Sequence, residues 1–156
     1  MAQVRPASAI DLPELLGWLK EERDETGEGF YCNKEVIETS FACGEGLCVV
    51  QNGRIVGFAV IQMFSEGGAV HIIESHPRAR RQRIGSQLLQ AAIEVLRSQG
   101  AHYVDVECTS PEGEALCRRH GFEDYADPRN QRRPFENPKL RIYLSEWRPP
   151  VRLPWA

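Results

Sequence analysis

The sequence predicts an α/β fold, a mixed β-sheet with flanking helices, in a single domain over residues 1–156. Two runs rich in valine, isoleucine and phenylalanine, 47–51 and 54–63, are joined by Asn52-Gly53, the dipeptide typical of a tight hairpin. Apolar strands at 69–75 and 102–108 enclose an amphipathic helical pattern, which requires a right-handed parallel crossover. The 156 residues suffice for one hydrophobic core.

Two helices are predicted before the hairpin. The first begins near residue 9, with Asp11 as its N-cap and Pro13 in its first turn. Leucines at helical spacing mark its apolar side: Leu12, Leu15, Leu16 and Leu19. Residues 22–29 are polar and contain two glycines, so we expect a loop there. Asn33 is predicted to cap the second helix, which ends at Gly44.

Strands and helices alternate after the hairpin. The longest helical pattern begins near Ile84, and Gly100 stands where a C-terminal cap glycine belongs. The remaining predicted elements are a helix at 112–120 and strands at 122–125 and 139–145. An extended tail rich in proline, arginine and tryptophan follows at 147–156, and its two tryptophans suggest packing on a second subunit in a homodimer.

Composition excludes several classes of function. The net charge of −3 and the lack of a long apolar run argue against nucleic-acid and membrane partners. No secretory leader is recognisable at the start. Five cysteines, an odd number without a C-x-x-C pair, argue against a disulfide framework, and the scattered cysteines and histidines predict no metal site. These features favour a reducing cytoplasm.

An arginine-rich segment lies where a strand gives way to a helix, at residues 76–86. A helix N-terminus presents unpaired backbone N–H groups and a partial positive charge, so it binds phosphate oxygens. Gly85 permits close approach of the backbone, Ser86 offers a hydroxyl, and four arginines lie between 78 and 83. We therefore expect a phosphate or pyrophosphate ligand. The glycines of a dinucleotide fingerprint and the lysine of a P-loop are absent here.

This segment resembles the signature Arg/Gln-x-x-Gly-x-Gly/Ala of the GNAT superfamily of acyl-CoA-dependent N-acetyltransferases, with Arg80 and Gly85 in frame. Residues 115–122, Ala-Leu-Cys-Arg-Arg-His-Gly-Phe, are similar to the family's second motif, Ala-Leu-Tyr-x-x-x-Gly-Phe. The resemblance implies a sheet of six to seven strands with about four helices. It also implies a V-shaped gap between strands 69–75 and 102–108 that receives acetyl-CoA.

Three positions depart from the family pattern. Arg83 occupies the first glycine of the signature, Cys117 replaces the tyrosine near the departing sulfur, and Ser110 replaces an asparagine that contacts the pantetheine arm. The resemblance nevertheless assigns cofactor contacts to these residues and their neighbours. The expected set is Ile73, Glu74, Ser75, Arg80, Arg81, Gln82, Arg83, Ile84, Gly85, Ser86, Ser110 and Cys117.

The implied reaction is direct acetyl transfer from the thioester to a primary amine of a small molecule or peptide. His71, Glu74 and Glu107 are candidate bases, although His71 could equally be a surface residue. Cys117 is a candidate acid or a core residue, and Tyr125 or water could supply the proton instead. Strand alternation would place His71 and Glu74 on opposite faces of the sheet, so both could not point into one cleft. Burial would raise the pKa of Glu74.

The acceptor is expected to be cationic, because acidic residues concentrate in the first part of the chain. Glu25 and Glu28, in the predicted loop, and Glu107 are the candidate substrate-binding residues. Two rivals remain open. One is a non-catalytic acyl-CoA-binding sensor, in line with the missing tyrosine at 117. The other is a nucleic-acid-binding protein using arginines at 78–83 and 129–133, which have few aromatic neighbours for base stacking.

Overall fold

The computed structural model describes residues 2–125 and 136–150. Six strands form one mixed sheet in the order β1-β2-β3-β4-β5-β6, with four α-helices in this described part. The strands are β1 Gln3–Pro6, β2 Gly46–Gln51, β3 Arg54–Met63, β4 Gly68–Ser75, β5 Tyr103–Glu107 and β6 Lys139–Tyr143. The helices are α1 Leu12–Thr26, α2 Lys34–Ala42, α3 Ile84–Ser98 and α4 Pro111–Arg119. The predicted mixed α/β sheet is confirmed.

The sheet separates two hydrophobic layers. One face packs against α3 and holds the fully buried Leu88, Leu89 and Leu96. The other face packs against α1 and α2 around Trp18 and Phe58, whose rings meet edge to face at 6.1 Å. Burying each large apolar side chain contributes roughly 2 kcal/mol. These two layers fix the sheet between the helices and leave the C-terminal end of β4 exposed to a cleft.

All neighbouring strands pair antiparallel except β4 and β5, which are parallel. The β2–β3 hairpin turns at Asn52 and Gly53, both at positive φ, as the dipeptide predicts. α3 crosses over between β4 and β5 and ends before Gly100, which adopts the left-handed conformation with φ of 98°. The predicted crossover unit is therefore confirmed.

The chain begins with a strand that the sequence reading missed. β1 is only four residues long and carries one strongly apolar residue, Val4, so it has no clear alternation. It pairs with β2 at the edge of the sheet, where Pro6 is tolerated. Arg5 ties it to α1 through two hydrogen bonds to the buried carboxylate of Asp11, at 2.9 and 2.8 Å. Asp11 also accepts the backbone N–H of Ser8, so its side chain does not cap α1 as predicted.

The predicted loop at 22–29 is wrong over its first part, because α1 continues to Thr26. Glu22 extends the buried stripe of this helix, and the hydroxyl of Thr26 donates to the Glu22 carbonyl at 2.8 Å. Gly27 then ends the helix in the left-handed conformation. Glu22 is therefore buried near the end of the helix, although the last four residues of the helix, 23–26, are exposed.

The C-terminal region also differs from expectation. Residues 122–125 do not form a strand: Phe122 is buried in the core and Glu123 alone exchanges hydrogen bonds with Arg141 of β6. Trp147 stacks on His102 and Tyr103 of its own chain, with ring centroids 5.5 Å apart in each case. The arginines predicted in a loop at 129–133 and the tryptophan at 155 lie outside the described residues.

Candidate active site

A cleft opens where β4 and β5 diverge. The two strands pair only at Gly68 with Val104, Ala69 with Asp105 and Val70 with Val106. Beyond that point β4 runs on to Ser75 without β5 alongside it. The gap leads into a cavity of about 880 Å³ between the end of α1, the two strand ends and α4. The two strands therefore form the V-shaped gap that the resemblance in the sequence implies.

A β-bulge at His71 shapes the cavity wall. Ile72 pairs with Val60 of β3 and Val70 pairs with Ile61, so His71 is an extra residue without a partner in β3. The bulge resets the alternation of side chains, and His71 and Glu74 line the same cavity. The expectation that they point to opposite faces of the sheet is therefore wrong. The His71 ring is exposed and its Nε2 lies 2.8 Å from the amide oxygen of Gln62.

Carboxylates dominate the polar lining of the cavity. Glu25 lies on the last turn of α1, Glu28 lies in the loop after it, and Glu107 ends β5, so the three predicted acceptor contacts share one cavity. The complete acidic lining in the described part of the chain is Glu22, Glu25, Glu28, Glu74, Glu107 and Glu112. Arg80 is the one lysine or arginine among the described lining residues. Such a field attracts a cation.

Arg80 bridges two buried carboxylates. Its guanidinium donates to Glu22 at 2.9 Å and lies 3.7 Å from Glu74. Glu22 is 6% exposed and Glu74 is 8% exposed, although Arg80 itself is mostly in solvent. The Arg80 side chain thus points towards the carboxylates of the cavity rather than away along the turn.

Glu74 is held in an unusual protonation state for a carboxylate. Burial raises the pKa of Glu74 to about 9, assisted by a hydrogen bond to Glu22 and by the charge of Glu22, while Arg80 lowers it. His76, at the end of the same strand, has its pKa lowered by burial and then by Arg78. A buried carboxylate whose proton affinity approaches that of an amine is suited to acid–base chemistry.

The turn between β4 and α3 contributes Arg80 and Gly85 to the lining of the cavity, whereas Arg81, Gln82, Arg83, Ile84 and Ser86 are not among its described lining residues. Arg81 and Arg83 adopt left-handed conformations with φ of 72° and 61°, and Arg83 is the N-cap of α3. The first N–H groups of a helix have no partner within it, which leaves them for an anion. Gly85 lines the cavity, whereas the side chain of Ile84 is buried in the core. Gln82 is exposed on the turn.

Side-chain hydroxyls near this turn already have partners. The hydroxyl of Ser86 lies 3.1 Å from Nε2 of His120, which links α3 to the end of α4. The hydroxyl of Ser110 accepts the backbone N–H of Gly113 at 3.0 Å and so caps α4. Ser110 also lines the cavity, as do Ile73 and Ser75 of β4. The Ser110 oxygen accepts in this cap, so its O–H can still donate to a ligand in the cavity.

Cys117 is buried and lines the cavity from α4, next to Cys108. Burial raises the pKa of the Cys117 thiol to about 12, with further contributions from the charge of Cys108 and a hydrogen bond to it. The thiol is therefore a poor proton donor compared with an ordinary cysteine. All five cysteines are unpaired. No cluster of His, Cys, Asp or Glu able to hold a metal occurs within residues 2–125 and 136–150.

Comparison with known proteins agrees with this geometry. The sequence model described as the Acetyltransferase (GNAT) family matches residues 11–122, most of the chain. The chain belongs to the GNAT family of acetyltransferases. As a GNAT protein it is an acyltransferase, and the matched region includes the α1 carboxylates, the diverging strands and the second motif at α4.

Solved GNAT structures share its fold. The PaiA N-acetyltransferase of Thermoplasma acidophilum, in complex with coenzyme A, aligns with a TM-score of 0.71 at 14% identity, over 92% of this chain and 99% of that one. The polyamine N-acetyltransferase of Drosophila melanogaster, which forms N-acetylagmatine, aligns with a TM-score of 0.71 at 17% identity, over 92% and 100%. A GNAT acetyltransferase of Bacillus cereus aligns with a TM-score of 0.71 at 20% identity, over 95% and 99%.

Comparison with curated protein sequences gave no match. Within the described residues, none of the GNAT domain's helices has the length and apolar character needed to span a membrane.

Sequence reasoning missed one residue of this GNAT site, Glu22. The signal was available: Leu15, Trp18, Leu19 and Glu22 follow helical spacing, and all four are buried on α1. A carboxylate that continues an apolar stripe is an exception to ordinary burial and points to a special role. The glycine at 27, rather than the polar residue at 22, marks the end of the helix.

Proposed function

We propose that this GNAT protein transfers the acetyl group of acetyl-CoA directly to the primary amine of a cationic small molecule or peptide. The observation that carries the proposal is the cavity between β4 and β5, which combines a backbone turn suited to a diphosphate with six carboxylates suited to an ammonium group. Coenzyme A bound to the PaiA neighbour supports the choice of donor.

The cofactor contacts follow from the exposed backbone. Ile73, Glu74 and Ser75 lie on the part of β4 that has no β5 partner, so their backbone groups are available to the amides of a pantetheine arm. The N–H groups at Arg81–Ser86 would hold the pyrophosphate at the N-terminus of α3. Arg83 stands at the first glycine of the signature and already adopts the left-handed conformation that favours glycine.

Glu74 is the proposed general base. The acceptor enters as an ammonium ion, attracted by the carboxylates around the cavity. Glu74 releases its own proton to solvent as this positive charge arrives, and its carboxylate then takes one proton from the ammonium group. The nitrogen lone pair then forms the new C–N bond at the thioester carbonyl, and the C–S bond breaks with its electron pair on the sulfur. The second proton on the nitrogen passes to the departing thiolate, which gives a neutral amide and the coenzyme A thiol. Since the pKa of Glu74 is about 9 and that of an alkyl ammonium is near 10, this proton transfer is nearly balanced.

Further parts of the proposal concern context. Residues 1–156 act as one catalytic domain, and five unpaired cysteines support a reducing compartment, the cytoplasm. We also propose that the protein forms a homodimer and does not bind nucleic acid. Light scattering of the purified protein measures the number of subunits.

The test is a thiol-release assay with acetyl-CoA and a panel of amines, with mass spectrometry of the products. Agmatine, spermidine and a lysine-rich peptide are expected to release coenzyme A and gain one acetyl group. Glutamate, which carries an amine but is acidic, is the matched control and is expected to react at least tenfold more slowly, because the carboxylates repel it. Tight binding of coenzyme A with no acetylation of any amine would favour a non-catalytic sensor instead.

A further inference from the structure

Two buried carboxylates from different elements meet at the floor of the cavity. Glu22 comes from the last turns of α1 and Glu74 from the end of β4. Both are more than nine-tenths buried, and both carboxylates lie around one nitrogen of the Arg80 guanidinium, which is 2.9 Å from Glu22 Oε2 and 3.7 Å from Glu74 Oε1. Two ionised carboxylates buried around one cation would repel each other. One proton shared by the pair relieves this repulsion, and the Arg80 charge then balances the single negative charge that is left.

The remaining oxygens of the pair are free of partners among the described residues. Glu22 Oε1 and Glu74 Oε2 are buried without a hydrogen bond, although both side chains line the cavity. Arg80 supplies one positive charge, at 2.9 Å from Glu22 and 3.7 Å from Glu74. Glu22 Oε1 lies close to the backbone of Gly29, where a side chain would overlap it. Gly29 has φ of 98°, a conformation that also favours glycine. The arrangement leaves two buried acceptor oxygens without a hydrogen-bond partner beside the Arg80 guanidinium.

We propose that Glu22 is a positioning residue of the acetyl transfer: it shares Arg80 and a single proton with Glu74, and so keeps Glu74 basic enough to deprotonate the acceptor. This deepens the proposed function and rests on it. When the ammonium ion enters, its positive charge replaces the shared proton, which leaves to solvent. Glu74 then takes a proton from the ammonium nitrogen, and the neutral amine attacks the thioester. Glu22 gains or loses no covalent bond in this sequence.

The charges around the pair come from three elements. α1 contributes Glu22 and, near His76, Glu21; β4 contributes Glu74; and the turn after β4 contributes Arg80, His76 and Arg78. His71 lies in the same cavity wall, bonded to Gln62. Glu21 is exposed and does not line the cavity, which makes Glu21→Gln a control with the same charge change, one residue away.

The first test follows the ¹³C chemical shift of the Glu74 carboxyl with pH in the free protein, assigned by its loss in Glu74→Gln. The wild-type midpoint is expected well above that of an ordinary glutamate. Glu22→Gln is expected to lower the midpoint by at least about one pH unit, because a repelling charge is removed, whereas Glu21→Gln leaves it in place. Arg80→Gln is expected to raise the titration midpoint of Glu74, because a stabilising positive charge is removed. This variant serves as the test if Glu22→Gln fails to fold. An unchanged midpoint in Glu22→Gln overturns the proposal. If Glu22→Gln does not fold, an unchanged midpoint in Arg80→Gln overturns it.

The second test is kinetic and uses the best amine from the acceptor panel. Glu22→Gln is expected to lower kcat about tenfold with a smaller change in KM for acetyl-CoA, and to move the acidic limb of the pH profile downwards. A loss of activity with an unshifted pH profile would indicate a merely structural role and overturn the inference. If wild-type protein acetylates no amine, the proposed function fails, while the carboxyl titration still decides whether Glu22 controls Glu74.

Discussion

His71 and Gln62 are hydrogen-bonded across β4 and β3, with 2.8 Å between the imidazole Nε2 and the amide oxygen. The bond lies at the β-bulge, beside the point where β4 and β5 separate. The bond ties the ring to Gln62, which is not among the described residues that line the cavity, whereas the buried Glu74 lines it beside Arg80.

Substitution of His71 is therefore expected to affect the rate less than substitution of Glu74. We predict that Glu74→Gln lowers kcat by about a hundredfold or more, as for loss of a general base, and His71→Ala by less than about fivefold. Gln62→Ala frees the ring without removing it and should resemble His71→Ala. Steady-state rates with the best acceptor measure this. A hundredfold loss in His71→Ala with little loss in Glu74→Gln would reverse the assignment of the base.

The two site residues that sequence reasoning misjudged show what local pattern omits. The alternation of side chains along a strand predicted His71 and Glu74 on opposite faces of the sheet. One inserted residue in β4 shifts that alternation. The β-bulge depends on how β4 pairs with β3, which the sequence of β4 alone does not show. Glu22 was assigned to a loop because of its polarity, although helical spacing places it on the buried stripe. The hairpin, the crossover unit and the turn that precedes α3 were predictable because their signals are local: Asn52-Gly53, the periodicity of α3 and the segment before Ile84.

Cys117 is expected to be dispensable for protonation of the leaving group. Its thiol has a pKa of about 12, so giving a proton to a coenzyme A thiolate would be unfavourable by roughly 4 kcal/mol. We predict that Cys117→Ala changes kcat by less than about threefold. Cys48→Ala is the control, because Cys48 is equally buried but belongs to the opposite hydrophobic layer. A loss of a hundredfold confined to the Cys117 variant would restore the acid role.

Glycine at position 83 is expected to stabilise the protein. Arg83 adopts the left-handed conformation with φ of 61°, which costs about 1 kcal/mol for a residue with a side chain. We predict that Arg83→Gly raises the free energy of unfolding by about that amount. Arg78→Gly loses the same charge from a right-handed turn and should be neutral or destabilising. Urea titrations compare the two variants, and equal effects would show that charge, not backbone strain, matters.

Gly57, which faces α3, and Gly85, which faces α4, are expected to differ in how well they tolerate substitution by alanine. A Cβ at Gly57 would lie 2.5 Å from Ile84 Cγ2 and 3.1 Å from the Glu74 carbonyl oxygen, whereas a Cβ at Gly85 meets only Leu116 Cδ2, at 3.1 Å. We predict that Gly57→Ala destabilises the fold by about 2 kcal/mol. Gly85→Ala should be near neutral, because one flexible side chain can move and alanine favours the helix. Thermal unfolding of both variants measures this; a larger loss in Gly85→Ala would contradict the packing.

Glu74 should also make the stability of the protein depend on pH. Its carboxyl loses a proton near pH 4.5 in the unfolded chain but only near pH 9 in the folded one, so the folded state holds the extra proton between those values. Unfolding then becomes easier as pH rises from 4.5 towards 9. Glu74→Gln removes this titration, and we predict that its stability relative to wild type rises by roughly 4 kcal/mol between pH 5 and pH 8. Glu38→Gln, an exposed carboxylate on α2, should show no such divergence. Denaturant titrations at pH 5, 6.5 and 8 would give parallel curves for Glu74→Gln and wild type if Glu74 were ionised throughout.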